Sequence, residues 1–396
     1  MHKPLTSERF RLQLESERNP LSIVLLGVAH SLNHSLFVIA PSLLTLIMAS
    51  LNVSKSGIGL VSMVASFIYG AGALFSGLLS DKIREAKTIA ASLAFSGFST
   101  FIMLVAWAMG SIYVYALALT LMAAWASLYH PAANSLIYKT FTERVAENMG
   151  WHGAGGTIGV VLTPTIAWFL GATFGWSWAF VTFGVLCILL ASFFPRCFGK
   201  TSRGQVNGGT IIGALRIRKL WILLIFGMMI GLFMRGVELY FPIYLIENRL
   251  IDPAWASIAY TLVLAVGIPA QWIGGMVADK IGSKKVLIAS SAGVCIGLLS
   301  LLLLPIYIVG IALFILFYGL FFYAHQPAIT ALTGFLSPPN QRGAVYSIYF
   351  FMHFGISSLS QFIVGYLADL YGLDVAFYLL TAFALAALPL SFKLPK

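Results

Sequence analysis

The chain has 396 residues, of which 59% are hydrophobic and 9% charged, and its mean hydropathy is +0.91. A soluble domain needs about a quarter of its residues charged to cover its surface, so this composition excludes a soluble globular protein. The formal net charge of +11 indicates contact with anionic lipid headgroups rather than with nucleic acid, because no soluble domain carries a basic face.

Twelve apolar stretches are long enough to cross a membrane as helices, which takes roughly 20 residues each. Charged residues, prolines and glycines separate the stretches. The sequence therefore predicts an all-α membrane protein with twelve transmembrane helices. The predicted spans are 21–48, 57–80, 88–108, 111–138, 148–172, 176–196, 220–246, 253–278, 285–303, 306–335, 342–370 and 373–392.

The spans divide into two halves of equal helix number. We expect a cytoplasmic N-terminal tail over residues 1–20, a six-helix half over 21–196, a cytoplasmic central loop over 197–219 and a second six-helix half over 220–396. The tail is polar, and the apolar run after it lacks a cleavage signature, so no signal peptide is expected.

Basic residues alternate strongly between the two sides of the predicted bundle. Of the 24 Lys and Arg, all but Lys55, Arg235 and Arg249 lie in the tails or in the loops after even-numbered spans. Basic loops stay on the cytoplasmic side of a membrane. Both termini and the central loop are therefore expected in the cytoplasm, and the protein is expected in the cytoplasmic membrane.

The two halves also repeat each other in sequence. The segment Gly-Leu-Leu-Ser-Asp-Lys after the second span matches Gly-Met-Val-Ala-Asp-Lys after the eighth, and a basic residue after the fourth span matches one after the tenth at the same offset. Matched halves that rock around a site at the bilayer midplane are typical of secondary transporters. The repeat sets Gly77, Asp81, Lys82 and Arg144 against Gly275, Asp279, Lys280 and Arg342.

This doubled loop motif resembles that of the major facilitator superfamily, and the resemblance covers essentially the whole chain. It implies the major facilitator fold, alternating access, a small-molecule substrate and a monomer. It also implies that the eight repeated residues latch the two halves together in the outward-facing state. One such loop alone would be an ordinary positive-inside turn.

A narrower resemblance is to the fosmidomycin-resistance-like branch of efflux proteins. It rests on Ala29-His30-Ser-Leu-Asn33-His34, Tyr129-His130-Pro131 and Gly155-Gly156-x-x-Gly159 in the first, fourth and fifth spans. The chain departs from the branch at His34 and Ala132, where relatives commonly carry acidic residues, and at Thr163, where they carry glycine. Drug or metabolite efflux by proton antiport is therefore kept as an alternative function.

Arg235 and Glu238 are the one cation and the one carboxylate that the sequence places well inside the predicted spans. An ionisable residue in the bilayer core is costly and is by default a functional candidate. The two residues are three apart in the seventh span, so they share a helix face and can pair. We predict that Arg235 binds an anionic group of the substrate and that Glu238 binds the coupling proton, with a static packing pair as the alternative.

Six of the seven histidines fall in predicted spans. His30 and His34 are four apart on one helix face, a spacing that could hold a metal ion. The first span offers no carboxylate or thiolate beside them, so a divalent metal-ion carrier is an alternative and no metal ligand is predicted. Aligning Pro41 with Pro242 in the repeat sets His34 opposite Arg235, which makes His34 a candidate for binding substrate and proton.

Taken together, these patterns predict a secondary active transporter for a small anionic or amphipathic organic solute, coupled to protons. No enzyme chemistry and no cofactor are expected, because no nucleophile–base set or phosphate loop is present. The expected partners are the solute, a proton and membrane lipid, and a non-transporting sensor on the same fold is a further alternative. The remaining candidates for substrate binding are His30, Asn33, Tyr240 and Gln326.

Overall fold

The computed structural model describes residues 20–80, 84–141, 145–198, 210–338 and 341–395. In this part of the chain, 12 helices are long and apolar enough to cross a membrane, which confirms the predicted number. Their ends lie within a few residues of the predicted ones. The helices are α1 (Pro20–Ser42 and Leu44–Leu51), α2 (Lys55–Ser80), α3 (Glu85–Met109), α4 (Ile112–Ala126 and Tyr129–Thr140), α5 (Val145–Phe174), α6 (Trp176–Phe193), α7 (Arg218–Arg249), α8 (Pro253–Ile281), α9 (Ser283–Leu303), α10 (Tyr307–Leu336), α11 (Arg342–Phe350 to Leu359–Tyr371) and α12 (Leu373–Lys393).

Two of the helices contain interruptions that lie close to the residues discussed below. In α4 the break falls at Ser127 and Leu128, because Pro131 has no N–H to donate to the carbonyl of Ser127. In α11 a π-helical turn over Phe351–Gly355 is followed by a 3₁₀ turn over Ile356–Ser358. Single π turns inside helices are frequent at functional sites.

The helices pack as two groups of six. Within the groups, α1 lies along α5 and α7 lies along α12, while α2 meets α11 and α5 meets α8 between the groups. Close approach depends on small residues, as in membrane helices generally. A Cβ on Gly155 of α5 would lie 2.5 Å from the Cα of Gly27 in α1, so these two backbones are almost in contact.

An even number of crossings leaves both ends of the chain on one side of the bundle, here called the termini side; the other is the far side. At the far side, Lys55 Nζ lies 2.9 Å from Glu247 Oε2. The carboxylate of Asp369 accepts from the backbone N–H groups of Lys55 at 3.0 Å and Ser56 at 2.8 Å. The Tyr240 hydroxyl shares its proton between the carbonyls of Lys55 and Gln361. The first half is thereby tied to the second by α2, α7 and α11.

A second set of far-side contacts joins α5 to α8. Ser257 donates to the carbonyl of Pro164 at 2.7 Å, and the hydroxyls of Thr165 and Thr261 are 2.8 Å apart. Within the described residues, side-chain hydrogen bonds between the halves lie toward the far side or near the middle of the helices. The conformation is therefore closed on the far side. If the basic loops lie in the cytoplasm as predicted, this conformation is the inward-facing one.

Candidate functional site

Arg235 and Glu238 form an ion pair near the middle of α7. Arg235 Nη1 lies 2.9 Å from Glu238 Oε2, and the two side chains are 12% and 32% exposed. The guanidinium lies over the ring of Phe354 from α11, with its carbon 4.3 Å from the ring centroid. Arg235 Nε is buried and has no hydrogen-bond partner among the described residues. The guanidinium thus retains donor capacity beyond its bond to Glu238.

The ion pair lies among polar side chains from both halves. His34 of α1 and Tyr69 of α2 are within electrostatic range of Arg235. On the other side, Glu238 is within electrostatic range of three tyrosines of the second half. These are Tyr260, Tyr318 and Tyr323.

A cluster of four histidines lies beside this pair, built from α1, α4 and α5. Nε2 of His34 and Nε2 of His130 are 3.1 Å apart, and one ring nitrogen from each of His30, His34 and His130 lies within 4.8 Å of the other two. The ring of His152 stacks on that of His30 with centroids 4.2 Å apart. Sequence reasoning did not place His130 and His152 beside the pair on the first span, because only the packing of α4 and α5 against α1 brings them there.

Hydrogen bonds fix the protonation pattern of two of these rings. The carbonyl of His152 can only accept, so Nδ1 of His30, 2.9 Å away, must carry the proton and Nε2 the lone pair. Likewise the Tyr129 hydroxyl donates to the carbonyl of Leu26 at 3.0 Å, so it accepts from Nε2 of His152 at 3.1 Å. His30 therefore has its lone pair on the ring edge away from the His152 carbonyl.

The remaining candidates for substrate binding are placed differently. Asn33 is fully buried and donates to the Ala126 carbonyl at 3.3 Å, and Tyr240 is fully buried in the far-side contacts. Neither side chain is accessible to a solute in this conformation, and their role in substrate binding stays a prediction. Gln326 accepts from Gln271 at 2.7 Å, and Gln271 in turn accepts from Thr157 of the first half at 3.3 Å.

The loop motif can be located only in part. Gly275 lies against Pro327, and Asp279 and Lys280 are exposed in the last turn of α8 on the termini side. Gly77 falls within α2, and Arg342 begins α11, but their surroundings are outside the described part of the chain. Asp81, Lys82 and Arg144 also lie outside the described residues. The latch role of the motif stays a prediction.

Sequence reasoning missed a second buried carboxylate. Glu85, at the first position of α3, is 3% exposed, and its carboxylate pairs with Lys139 of α4 and accepts from Ser135 at 3.0 Å. Its position at the edge of an apolar stretch resembles that of an ordinary solvated loop residue. Only the packing of α3 on α4 shows that it is enclosed.

The two six-helix groups, with a charged pair in the middle of a membrane-crossing helix, define a transporter built from two halves. The sequence profile of the Major Facilitator Superfamily matches residues 23–361 and 256–396. The chain belongs to this superfamily and is an integral, multi-pass membrane protein. No protein of curated function matches the sequence significantly. The narrower resemblance to the fosmidomycin-resistance-like branch stays a prediction.

Solved structures share the fold at low sequence identity. A bacterial homologue of the human lysosomal transporter Spinster, inward-facing and unoccupied, matches with a TM-score of 0.77 and 16% identity over 94% of this chain and 96% of that chain. A mutant of the nucleoside transporter NupG matches with a TM-score of 0.79 and 14% identity over 95% and 100%. At such identities the likeness concerns the fold alone.

Proposed function

We propose that this protein is a secondary active transporter that carries a small organic solute with an anionic group by alternating access, coupled to a proton. The observation that supports this best is the ion pair of Arg235 and Glu238 in the middle of α7. A charged pair at this depth is costly to bury, and membrane proteins retain such residues mainly in solute and proton pathways.

Arg235 is suited to bind an anion because its donors are not exhausted. Its Nη1 bonds Glu238, while its Nε is buried without a partner among the described residues. A carboxylate or phosphate group of the solute would satisfy such donors with charge-assisted hydrogen bonds. Phe354 holds the guanidinium against one ring face and so limits the directions in which its N–H groups point.

Glu238 is the candidate for the coupling proton. When its carboxylate is ionised it competes with the solute for Arg235, and when it binds a proton it releases Nη1 to the solute. Solute and proton would then bind together and be carried together at one place between the two halves. His34 stays a predicted contributor, but the proposal rests on Glu238.

A stability screen tests the anion site. Full-length protein in detergent is heated with organic anions, amphipathic cations and neutral sugars, since a ligand of the native state raises the apparent melting temperature. We expect an organic anion to stabilise the wild type and Arg249→Ala, and to lose its effect in Arg235→Ala. Arg249 is the matched control because it lies on the same helix at the far side, beside Asp374. Equal stabilisation of both variants would contradict the proposal.

Proteoliposomes with an imposed pH gradient test the proton. We expect Glu238→Gln to abolish pH-driven solute movement while exchange of solute for solute continues. Glu247→Gln, on the same helix but paired with Lys55 at the far side, serves as the control. If solute movement driven by the pH gradient survives in Glu238→Gln, Glu238 does not carry the coupling proton. Resistance to a drug on expression, unaffected by Arg235→Ala, would favour efflux, and the absence of any flux would favour a sensor.

A further inference from the structure

The three histidines of α1 and α4 lie close to the spacing of a metal site. In a tetrahedral site with metal–nitrogen bonds of about 2.0–2.1 Å, neighbouring nitrogens are about 3.3 Å apart. The two Nε2 atoms of His34 and His130 are 3.1 Å apart, and the third imidazole, that of His30, has its ligand atom within 4.8 Å of both. A small approach of His30 toward the other two rings, with its bond to the His152 carbonyl kept, would complete the triad.

His30 also has the supporting hydrogen bond that ligating histidines usually have. Its Nδ1 donates to the backbone carbonyl of His152 at 2.9 Å, which leaves the lone pair on Nε2. A hydrogen bond of this kind fixes the tautomer and orientation of a metal ligand and raises its basicity. The stacked ring of His152, itself bonded to Tyr129, holds the plane of His30 from one side.

Interhelical hydrogen bonding explains only part of this arrangement. It accounts for the contact between His34 and His130 and for the bond at Nδ1 of His30. It does not require the third ring, whose centroid lies 4.7 Å from that of His34 and 5.0 Å from that of His130. Convergence of three imidazoles, each only partly buried, is what a ligand held by all three would require.

The charges near the triad are compatible with a cation. Arg235 is within electrostatic range of His34 and would repel a metal ion. The carboxylate of Glu238, 2.9 Å from Arg235, offsets this charge within the same helix turn. The ligands themselves are neutral imidazoles, which suit divalent zinc, copper, nickel and cobalt, whereas magnesium and calcium require oxygen ligands.

We propose that His30, His34 and His130 form a binding site for a divalent first-row transition-metal ion, with a fourth coordination position left for a non-protein ligand. All three ligands belong to the first six helices, so they move together when the two halves rock against each other. The site is distinct from the anion-binding role proposed for Arg235, and either can be correct without the other.

Cobalt is the probe, because tetrahedral Co²⁺ absorbs in the visible range. Untagged full-length protein, freed of metal with a chelator, is titrated with Co²⁺ and then with Zn²⁺ or Mg²⁺. We expect visible bands that saturate at one ion per chain, that Zn²⁺ removes and that Mg²⁺ does not. We expect His34→Gln and His130→Gln to bind Co²⁺ more weakly by more than the roughly 10- to 100-fold that loss of an outer-shell partner costs.

Two controls separate this site from other effects. His353→Gln removes a buried intramembrane histidine that bonds the Gly227 carbonyl outside the triad, and it should leave the bands intact. Arg235→Ala should keep the bands and should bind Co²⁺ at least as tightly, because it removes a repelling charge, and this distinguishes the site from the proposed anion site. If the triad variants do not fold, Zn²⁺ should still protect His34 and His130 of the wild type from diethylpyrocarbonate. Absent bands and absent protection in the wild type, or unchanged bands in both folded triad variants, would overturn the proposal.

Discussion

Arg235 lies over the ring of Phe354, with its guanidinium carbon 4.3 Å from the ring centroid. Arg235 is on α7 and Phe354 is in the π-helical turn of α11, so the irregular turn presents an aromatic face to the charged residue. The contact orients the guanidinium without using any of its N–H groups.

Phe354→Leu should weaken binding of the anionic solute. A contact of this type contributes about 0.5–2 kcal/mol, so its loss should lower the affinity by about 2- to 30-fold. Phe354→Tyr keeps the ring face and should bind nearly as well as the wild type. The affinity of each variant is measured from its melting temperature at increasing concentrations of the solute. If the leucine and tyrosine variants bind equally, the ring does not orient Arg235.

Tyr240→Phe should loosen the far-side closure. The hydroxyl bonds carbonyls of α2 and α11, and a hydrogen bond contributes about 0.5–1.5 kcal/mol net, or roughly a 2- to 13-fold shift in the conformational equilibrium. Spin labels at the exposed far-side positions Tyr113 and Leu250 would report longer distances. Tyr244→Phe is the control, because that hydroxyl bonds Asp374 within the second half. A shift of the same size in the control would show that the effect is not specific to the interface.

Gly156→Ala should destabilise the protein. A Cβ there would lie 2.6 Å from Cγ and Cε1 of His30, so the ring would have to move away from its bond to the His152 carbonyl. Overpacking of this kind costs about 1–3 kcal/mol. Gly153→Ala, one turn earlier on α5, meets no atom within 4 Å and should be neutral or stabilising by up to about 1 kcal/mol. Melting temperatures in metal-free detergent compare the two, and equal effects would mean that His30 accommodates the methyl group.

Lys139→Met should destabilise the first half through Glu85. The carboxylate of Glu85 is buried, and removing a cation that pairs with a buried carboxylate costs up to about 3 kcal/mol, less where other partners remain. Adding Glu85→Gln should recover part of the loss, because a neutral amide no longer requires a cation. Chemical unfolding of the single and double variants measures the recovery. A double variant less stable than Lys139→Met would contradict this account.

Much of the fold could be predicted because the number of membrane helices depends on the hydrophobicity and length of short segments of the chain. Twelve apolar stretches fix the number of helices, since each must satisfy its backbone hydrogen bonds internally in lipid. The predicted pairing of Arg235 with Glu238 is likewise local, because residues three apart on a helix must be neighbours, and the structure has this ion pair.

The candidate site was less accessible to such reasoning. Asn33 and Tyr240 were candidates for substrate binding, and in this structure both side chains are buried and bond backbone carbonyls of neighbouring helices, which their sequence positions did not indicate. The enclosure of Glu85 depends on α4 lying against α3, and the histidine cluster depends on α4 and α5 lying against α1. None of these neighbours is near in sequence.

The sequence by itself determined that this is a twelve-helix membrane protein with two repeated halves and a charged pair in the seventh helix, because hydrophobic length and helical spacing are properties of short segments. Only the tertiary structure decided that His130 joins His30 and His34. It alone also showed that Phe354 lies under Arg235 and that Lys55 ties the halves together on the far side. These contacts depend on how whole helices rotate and pack, and small residues such as Gly155 set how closely the backbones approach.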